Sequence, residues 1–89
     1  MVRITFPPVL QRHVACPPLD VAGGSLRAAL EAAFAVYPRV RGYLLDDGGA
    51  LRAHITVLVD GVVVRDRSDL AVPLVADARI DVLAALSGG

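Results

Sequence analysis

The sequence lacks lysine and tryptophan, contains a single cysteine and carries no net charge. All nine of its basic residues are arginine, and nine acidic residues balance them. Because the arginines are scattered from Arg3 to Arg79, they form no basic stripe that would neutralise a row of phosphates. The composition therefore argues against nucleic-acid binding. It also leaves no side-chain amine for a Schiff base or an isopeptide bond.

A long hydrophobic run and a cysteine pair are also missing. The sequence has no run of about eighteen or more apolar residues that would cross a bilayer. Its first residues show no charged segment followed by an apolar one, so they do not resemble a signal peptide. Cys16 alone cannot form an internal disulfide, whereas a small secreted domain usually needs several. We therefore expect a cytoplasmic protein that does not associate with membranes.

Apolar residues are what the sequence has in abundance. Of its 89 residues, 55% are hydrophobic and 20% are charged. This balance is opposite to the low hydrophobicity and high net charge of disordered chains, and the length suits one compact domain. We expect a single domain over residues 1–89, with a flexible Gly-Gly tail from about residue 85.

Apolar and polar residues alternate in several short segments, as they do in half-buried strands. The pattern predicts strands over five segments, namely residues 2–6, 19–21, 55–59, 62–64 and 80–83. Asp60-Gly61 predicts a type I′ hairpin turn, because both central residues of that turn need positive φ. Residues 9–18 and 66–77 show neither the alternation of a strand nor the periodicity of a helix, so we expect irregular connections there.

Between residues 26 and 37 the period changes to that of a helix. Ser25 is the expected N-cap, because its hydroxyl can accept a hydrogen bond from an amide of the first turn, and Pro38 is expected to end the helix. Residues 40–45 are expected to add one short helical turn. The order of elements therefore predicts an α+β domain of the β-grasp kind, in which one main helix covers one face of a mixed four- to five-stranded sheet.

The two faces of that sheet should differ. The covered face should bury helix residues Leu30 and Phe34 against the inward-facing strand residues Ile4, Val57 and Val82. The same alternation places Leu58 and Leu83 on the opposite face, where no second helix is available to cover them. Two exposed leucines on neighbouring strands indicate a docking patch for a partner.

The residues that carry chemistry give little indication of an enzyme. Cys16 and His13 would form a nucleophile pair only on a helix, and the two prolines that follow argue against one. With His54 they lack the paired spacing of a metal site, so we expect no metal. Residues 23–25 and 46–49 have the sequences of a helix cap and a turn rather than those of a phosphate or calcium loop.

The final dipeptide, Gly88-Gly89, is the most informative short motif. Two successive glycines are uncommon by chance at an average usage of about 7%. Residues without Cβ let an extended peptide enter a narrow channel and present its terminal carboxylate to a partner. The alternative is an ordinary frayed terminus, in which glycine costs nothing.

Taken together, these features resemble the MoaD/ThiS family of ubiquitin-like sulfur carriers. The matching segments are the opening V-R-I-T-F-P-P-V-L, the helix S-L-R-A-A-L-E-A-A-F, the hairpin I-T-V-L-V-D-G-V-V-V and the ending D-A-R-I-D-V-L-A-A-L-S-G-G. The resemblance covers nearly the whole chain, and its most specific part is the last strand followed by Ser87-Gly88-Gly89. Within the family the chain looks more like the stand-alone carriers that feed cysteine synthesis than like the small subunit of molybdopterin synthase.

The resemblance implies a carrier protein and not an enzyme. An E1-like enzyme would use ATP to adenylate the Gly89 carboxylate, and a sulfur donor would then displace AMP to give a thiocarboxylate. That group would deliver sulfur to an acceptor enzyme of molybdopterin, thiamine or cysteine biosynthesis, with no cofactor bound permanently to the carrier. The expected partner-docking residues are Leu58, Leu83, Leu86 and Ser87, beside the reactive Gly88-Gly89 end.

Three alternatives remain open at this point. A ubiquitin-like modifier that is conjugated to other proteins through its C-terminus would share the Gly-Gly end and the exposed face. The small subunit of molybdopterin synthase would share them too. A small enzyme that uses Cys16 and His13 is the third alternative, and it would lose its activity on substitution of Cys16.

Overall fold

A computed structural model describes residues 1–85 of the chain. These residues form one sheet of five strands: β1 (Val2–Thr5), β2 (Leu19–Val21), β3 (Ile55–Val59), β4 (Val62–Val63) and β5 (Arg79–Ala84). The strand order is β2-β1-β5-β3-β4, with β1 and β5 parallel and the other neighbours antiparallel. The expected mixed sheet of an α+β domain is therefore confirmed.

The helical segments are α1 (Pro8–Gln11), α2 (Leu26–Val36) and α3 (Arg41–Leu44), the last of which follows a 3₁₀ turn (Pro38–Val40). The helical turn expected over residues 40–45 is thus present. The α1 segment corrects the expectation of an irregular connection over residues 9–18. Pro8 occupies its first position, where proline is tolerated because the first amides of a helix have no partner within it.

The main helix, α2, covers one face of the sheet. The Ser25 hydroxyl accepts a hydrogen bond from the Ala28 amide at 3.2 Å, as expected of the N-cap. The helix ends at Val36, shortly before Pro38. Its buried residues are Leu26, Ala29, Leu30, Ala33 and Phe34, and they share one core with the strand residues Ile4, Val57 and Val82. The predicted packing of the covered face is therefore confirmed.

Two short connections require the residues that the sequence supplies. Asp60 (φ 49°) and Gly61 (φ 82°) both have positive φ, as the predicted type I′ hairpin turn demands. Gly23 is needed because the chain approaches α2 closely. A Cβ at this position would lie 2.8 Å from the Ala29 backbone nitrogen. Glycine therefore permits tight packing of the connection before α2, a role additional to the cap that the sequence predicts.

The crossing between β4 and β5 is irregular, as expected, but side-chain hydrogen bonds hold it in place. Arg27 on α2 donates to the carbonyl oxygens of Ser68 (2.7 Å), Gly49 (2.8 Å) and Asp69 (3.3 Å). We call these contacts the Arg27 clasp. One guanidinium can bond all three carbonyls because it has five donors in a fixed planar arrangement. The clasp therefore connects the helix to two loops that are distant in sequence.

Candidate functional site

The face of the sheet opposite α2 carries an apolar patch, which we define as Leu58, Val63 and Leu83. Leu58 lies directly opposite Val63 on β4, and Leu83 lies opposite Thr56 on β3. This register makes Leu58 and Leu83 diagonal neighbours on the same face. Leu83 is 46% exposed and Val63 is 55% exposed, whereas Leu58 is half-buried. The structure thus places both sequence-predicted leucines on the open face.

Val63 is the member of the patch that the sequence analysis missed. The sequence does contain a signal for Val63. A two-residue turn at Asp60-Gly61 fixes the hairpin register, and in that register residue 63 lies opposite residue 58. β4 is the edge strand of the sheet, and its other residue, Val62, lies opposite Val59 and faces the other side. The hairpin therefore extends the apolar surface to the edge of the sheet.

The rest of the open face is charged. Arg3 forms an ion pair with Asp20 across β1 and β2 at 3.3 Å, and Arg79 approaches Asp81 within β5 at 3.7 Å. The Thr5 hydroxyl donates to the Asp81 carboxylate at 2.7 Å. Exposed pairs of this kind contribute little to stability. The charged side chains lie over β2, β1 and the start of β5, and the apolar patch lies over β3, β4 and the end of β5.

The chain leaves the sheet at the end of β5. The Ala85 amide donates to the His54 carbonyl at 2.8 Å, so backbone pairing continues as far as the last described residue. The remaining predicted site residues, namely Leu86, Ser87, Gly88 and Gly89, lie outside the described residues. Their roles in docking and chemistry stay predictions.

A concave pocket of about 260 Å³ lies beside the end of β5. Its floor consists of the buried residues Leu10, Leu44 and Ile55, and its rim carries the exposed side chains of His13, Tyr43 and His54. Ala84 and Ala85 form the side where the chain leaves the sheet. The sequence analysis treated the two histidines as isolated, because 41 positions separate them (54 − 13) and no local spacing connects them.

The geometry around Cys16 does not favour a nucleophile. The thiol is fully buried, and this burial raises the pKa of Cys16, which disfavours the reactive thiolate. The backbone of Cys16 is held by Gln11, whose side-chain amide donates to the Cys16 carbonyl and accepts from its N–H. His13, by contrast, is exposed and stacks on Tyr43.

Residues 1–85 contain neither a metal-binding cluster nor a membrane-spanning helix. This part of the chain contains no cluster of three or more histidine, cysteine, aspartate or glutamate side chains suited to a metal ion. None of its helices has the length and apolar character needed to span a membrane.

The topology and the uncovered sheet face define a ubiquitin-like β-grasp domain. Among solved structures, Haloferax volcanii SAMP1 shares the fold with a TM-score of 0.79 and 23% identity, over 99% of this chain and 98% of that one. A chain of the Amycolatopsis orientalis BexX/CysO complex has a TM-score of 0.85 and 19% identity, with 100% of both chains covered. Mycobacterium tuberculosis CysO has a TM-score of 0.82 and 22% identity, over 97% of this chain and 100% of that one.

These structures show that the described residues have the β-grasp fold. This is the fold that the resemblance in the sequence motifs implies. No family model matches the sequence. No curated protein matches it either.

Proposed function

We propose that the protein is a sulfur carrier whose reactive group is the carboxylate of Gly89. The observation that carries this proposal is the β-grasp fold of residues 1–85, shared with proteins described as CysO and SAMP1. The Gly88-Gly89 end of the sequence supports it, since β5 delivers the chain to the edge of the domain at Ala85. In this proposal partner enzymes recognise the folded domain, and the chemistry takes place on the terminal carboxylate of the backbone.

The chemistry takes two steps on a partner enzyme. A carboxylate is unreactive toward nucleophiles, so an E1-like enzyme first joins the Gly89 carboxylate oxygen to the α-phosphorus of ATP, and pyrophosphate leaves. A sulfide equivalent from a sulfur donor then attacks the carbonyl carbon, and AMP leaves. The product is a thiocarboxylate, which carries sulfur as a soft anionic nucleophile to an acceptor enzyme of cofactor or amino-acid biosynthesis.

The domain contributes recognition to this scheme. The apolar patch supplies a surface that an enzyme can desolvate, while the ion pairs on β1, β2 and β5 supply charges that orient the approach. The patch extends along β5 toward the end of the described chain, because Leu83 is only two residues from Ala85. An enzyme that covers the patch would therefore lie close to the start of the tail.

Mass spectrometry tests the proposal directly. The activating enzyme can be purified from the native cells by following ATP–pyrophosphate exchange that depends on this protein. Incubated with that enzyme, ATP and a sulfide donor, the wild type should gain the mass of one oxygen-to-sulfur exchange on its C-terminal peptide. The intact mass of the protein from its native cells checks the required free carboxylate on Gly89.

Two length variants serve as matched controls. Deletion of Gly89 leaves a terminal carboxylate on Gly88, but withdraws it by one residue, about 3.3–3.6 Å. Because a misplacement of about 1 Å can cost roughly a hundredfold in rate, the shortened protein should be inactive although normally folded. Addition of alanine after Gly89 should be equally damaging. Cys16→Ala should retain full transfer, and loss of transfer in that variant would instead favour the enzyme that uses Cys16.

A protein modifier is the second candidate function. Two of the structural neighbours are described as small archaeal modifier protein 1, from Haloferax volcanii and Methanosarcina acetivorans. A modifier would use the same activated Gly89 but transfer it to lysine amines of other proteins. Its own 89 residues offer no lysine acceptor. Peptides from native cells that carry the C-terminal residues on a lysine side chain would establish this function, and their absence beside abundant thiocarboxylate would favour the carrier.

A further inference from the structure

The pocket beside the end of β5 is assembled from three separate parts of the chain. His13 follows α1, Tyr43 belongs to α3 and His54 directly precedes β3. The rings of His13 and Tyr43 are stacked, with centroids 5.9 Å apart and planes inclined by 14°. The pocket therefore has a stacked pair of aromatic rings at its rim and aliphatic residues at its floor.

The size and charge of the pocket restrict what it can hold. Its volume of about 260 Å³ lies below the range of roughly 300–1,000 Å³ that is usual for small-molecule sites. Among the described lining residues there is no arginine, aspartate or glutamate. A single large, uncharged side chain suits these dimensions better than a nucleotide or another charged ligand. The stacked rings favour an aromatic side chain, because aromatic rings attract one another in offset or edge-to-face arrangements.

The position of the pocket indicates where that side chain comes from. Ala84 and Ala85 line the pocket, and only four residues of the sequence follow them. Four extended residues span at most about 13–14 Å. An enzyme that acts on Gly89 must therefore bring its own surface within that distance of the pocket. The pocket lies on the covered side of the sheet, since it includes Ile55, whereas the apolar patch lies on the open side.

We infer that this pocket receives an aromatic side chain of the activating enzyme, as a second docking contact at the start of the tail. This inference rests on the proposed function. An aromatic anchor in a concave pocket is the usual form of an interface hot spot. With the apolar patch on the other side of β5, the enzyme would bind the last strand from both sides, and the pocket contact would add to the affinity for the carrier.

Adenylation kinetics with the purified activating enzyme test the inference. Tyr43→Ala removes one ring of the stacked pair, and because Tyr43 is 40% exposed the variant should fold. We expect its KM for adenylation to rise about tenfold or more, with kcat unchanged at saturating carrier. Tyr43→Phe keeps the ring and should behave as the wild type. Val36→Ala, an exposed apolar position on α2 outside the pocket, should also leave KM unchanged.

Three results would overturn the inference. One is a Tyr43→Ala variant with the wild-type KM. Another is a Tyr43→Ala variant that loses kcat at saturation, because a docking contact should not affect the chemical step. A third is a change in the NMR signals of the His13 and Tyr43 rings when Leu86→Ala is made in the free protein, since the pocket would then serve the chain's own end. Absence of any adenylation of the wild type would instead remove the proposed function, on which the inference depends.

Discussion

The two faces of the sheet use alternate residues of the same strands, yet they have opposite physical properties. On β5, Ile80 and Val82 are buried in the core, whereas Asp81 and Leu83 lie on the open face. The covered face contains only apolar side chains, and the open face combines ion pairs with an apolar patch. The covered face therefore supplies apolar burial to the folded core, whereas the open face stays at the surface.

The comparison also explains why this strand register must be unique. A shift of β5 by one residue would turn Asp81 into the core and expose Ile80 and Val82. Burying an unpaired carboxylate is far more costly than exposing an apolar side chain. The strict alternation is therefore enough to specify both faces at once. Substitutions on the two faces should have separable consequences for stability and for binding.

The largest effect is expected from a cavity on the covered side. Leu30→Ala removes a side chain that is 1% exposed in the centre of α2. The change should lower the free energy of unfolding by about 2–5 kcal/mol, because both apolar burial and packing are lost. Urea denaturation measures this loss. Val36→Ala on the solvent side of the same helix, at 57% exposure, should stay within about 0.5 kcal/mol of the wild type. Equal losses in both variants would contradict the assignment of the two helix faces.

The next effect concerns the Arg27 clasp, which joins α2 to the two loops. Arg27→Ala leaves the carbonyls of Gly49, Ser68 and Asp69 without their donor. We expect a loss of about 1–3 kcal/mol in the free energy of unfolding. Hydrogen exchange should also become faster in residues 46–51 and 66–71, since the clasp joins both loops to α2. Arg39→Ala, an exposed arginine on the 3₁₀ turn, is the control and should leave exchange in both loops unchanged.

The sheet was more predictable from the sequence than the loops and the site. Alternation at Ile4, Val57 and Val82 reports burial directly, so strand phase and covered face follow from neighbouring residues. The Arg27 clasp joins positions more than twenty apart, and no local pattern marks it. The same limit applies to the pocket, where His13 and His54 meet only through the fold. The apolar patch was predicted in part, because β3 and β5 show their alternation and β4 is too short to do so.

A smaller effect is expected in the pH dependence of stability. The Asp66 carboxylate accepts hydrogen bonds from the Ala71 and Asp69 amides, and the pKa of Asp66 is held below its usual value chiefly by the Ala71 amide. A carboxyl whose pKa is lower in the folded state stabilises the fold above its unfolded pKa of about 3.9, and this stabilisation is lost as pH falls through the folded value. Asp66→Asn should therefore be less stable than the wild type at neutral pH. The difference in unfolding free energy should shrink below about pH 4, and a difference that persisted to the lowest pH would argue against this role.

The smallest effect on stability, and the largest on binding, should come from the apolar patch. Its substitutions must respect the cross-strand neighbours that the structure reveals. Leu58 lies directly opposite Asp81, so Leu58→Asp would place two carboxylates face to face. Like charges in directly opposite positions destabilise a sheet. Leu58→Lys avoids this repulsion because its ammonium group faces the Asp81 carboxylate, and Leu83→Asp is tolerable because its direct neighbour is Thr56.

The double variant Leu58→Lys with Leu83→Asp should therefore unfold close to the wild-type urea midpoint, within about 0.5 kcal/mol. Its affinity for the activating enzyme should nevertheless fall by tenfold or more. Charged groups would have to be desolvated at a position where the wild type presents apolar surface. Titration calorimetry gives the affinity, and the urea midpoint gives the stability of the same preparation. Leu58→Asp should be less stable than Leu58→Lys by about 0.2–1 kcal/mol, because the two variants differ in the sign of the charge that faces Asp81. If the double variant unfolded early while Leu58→Lys and Leu58→Asp were equally stable, Leu58 would belong to the core, and the division between the two faces would fail on β3.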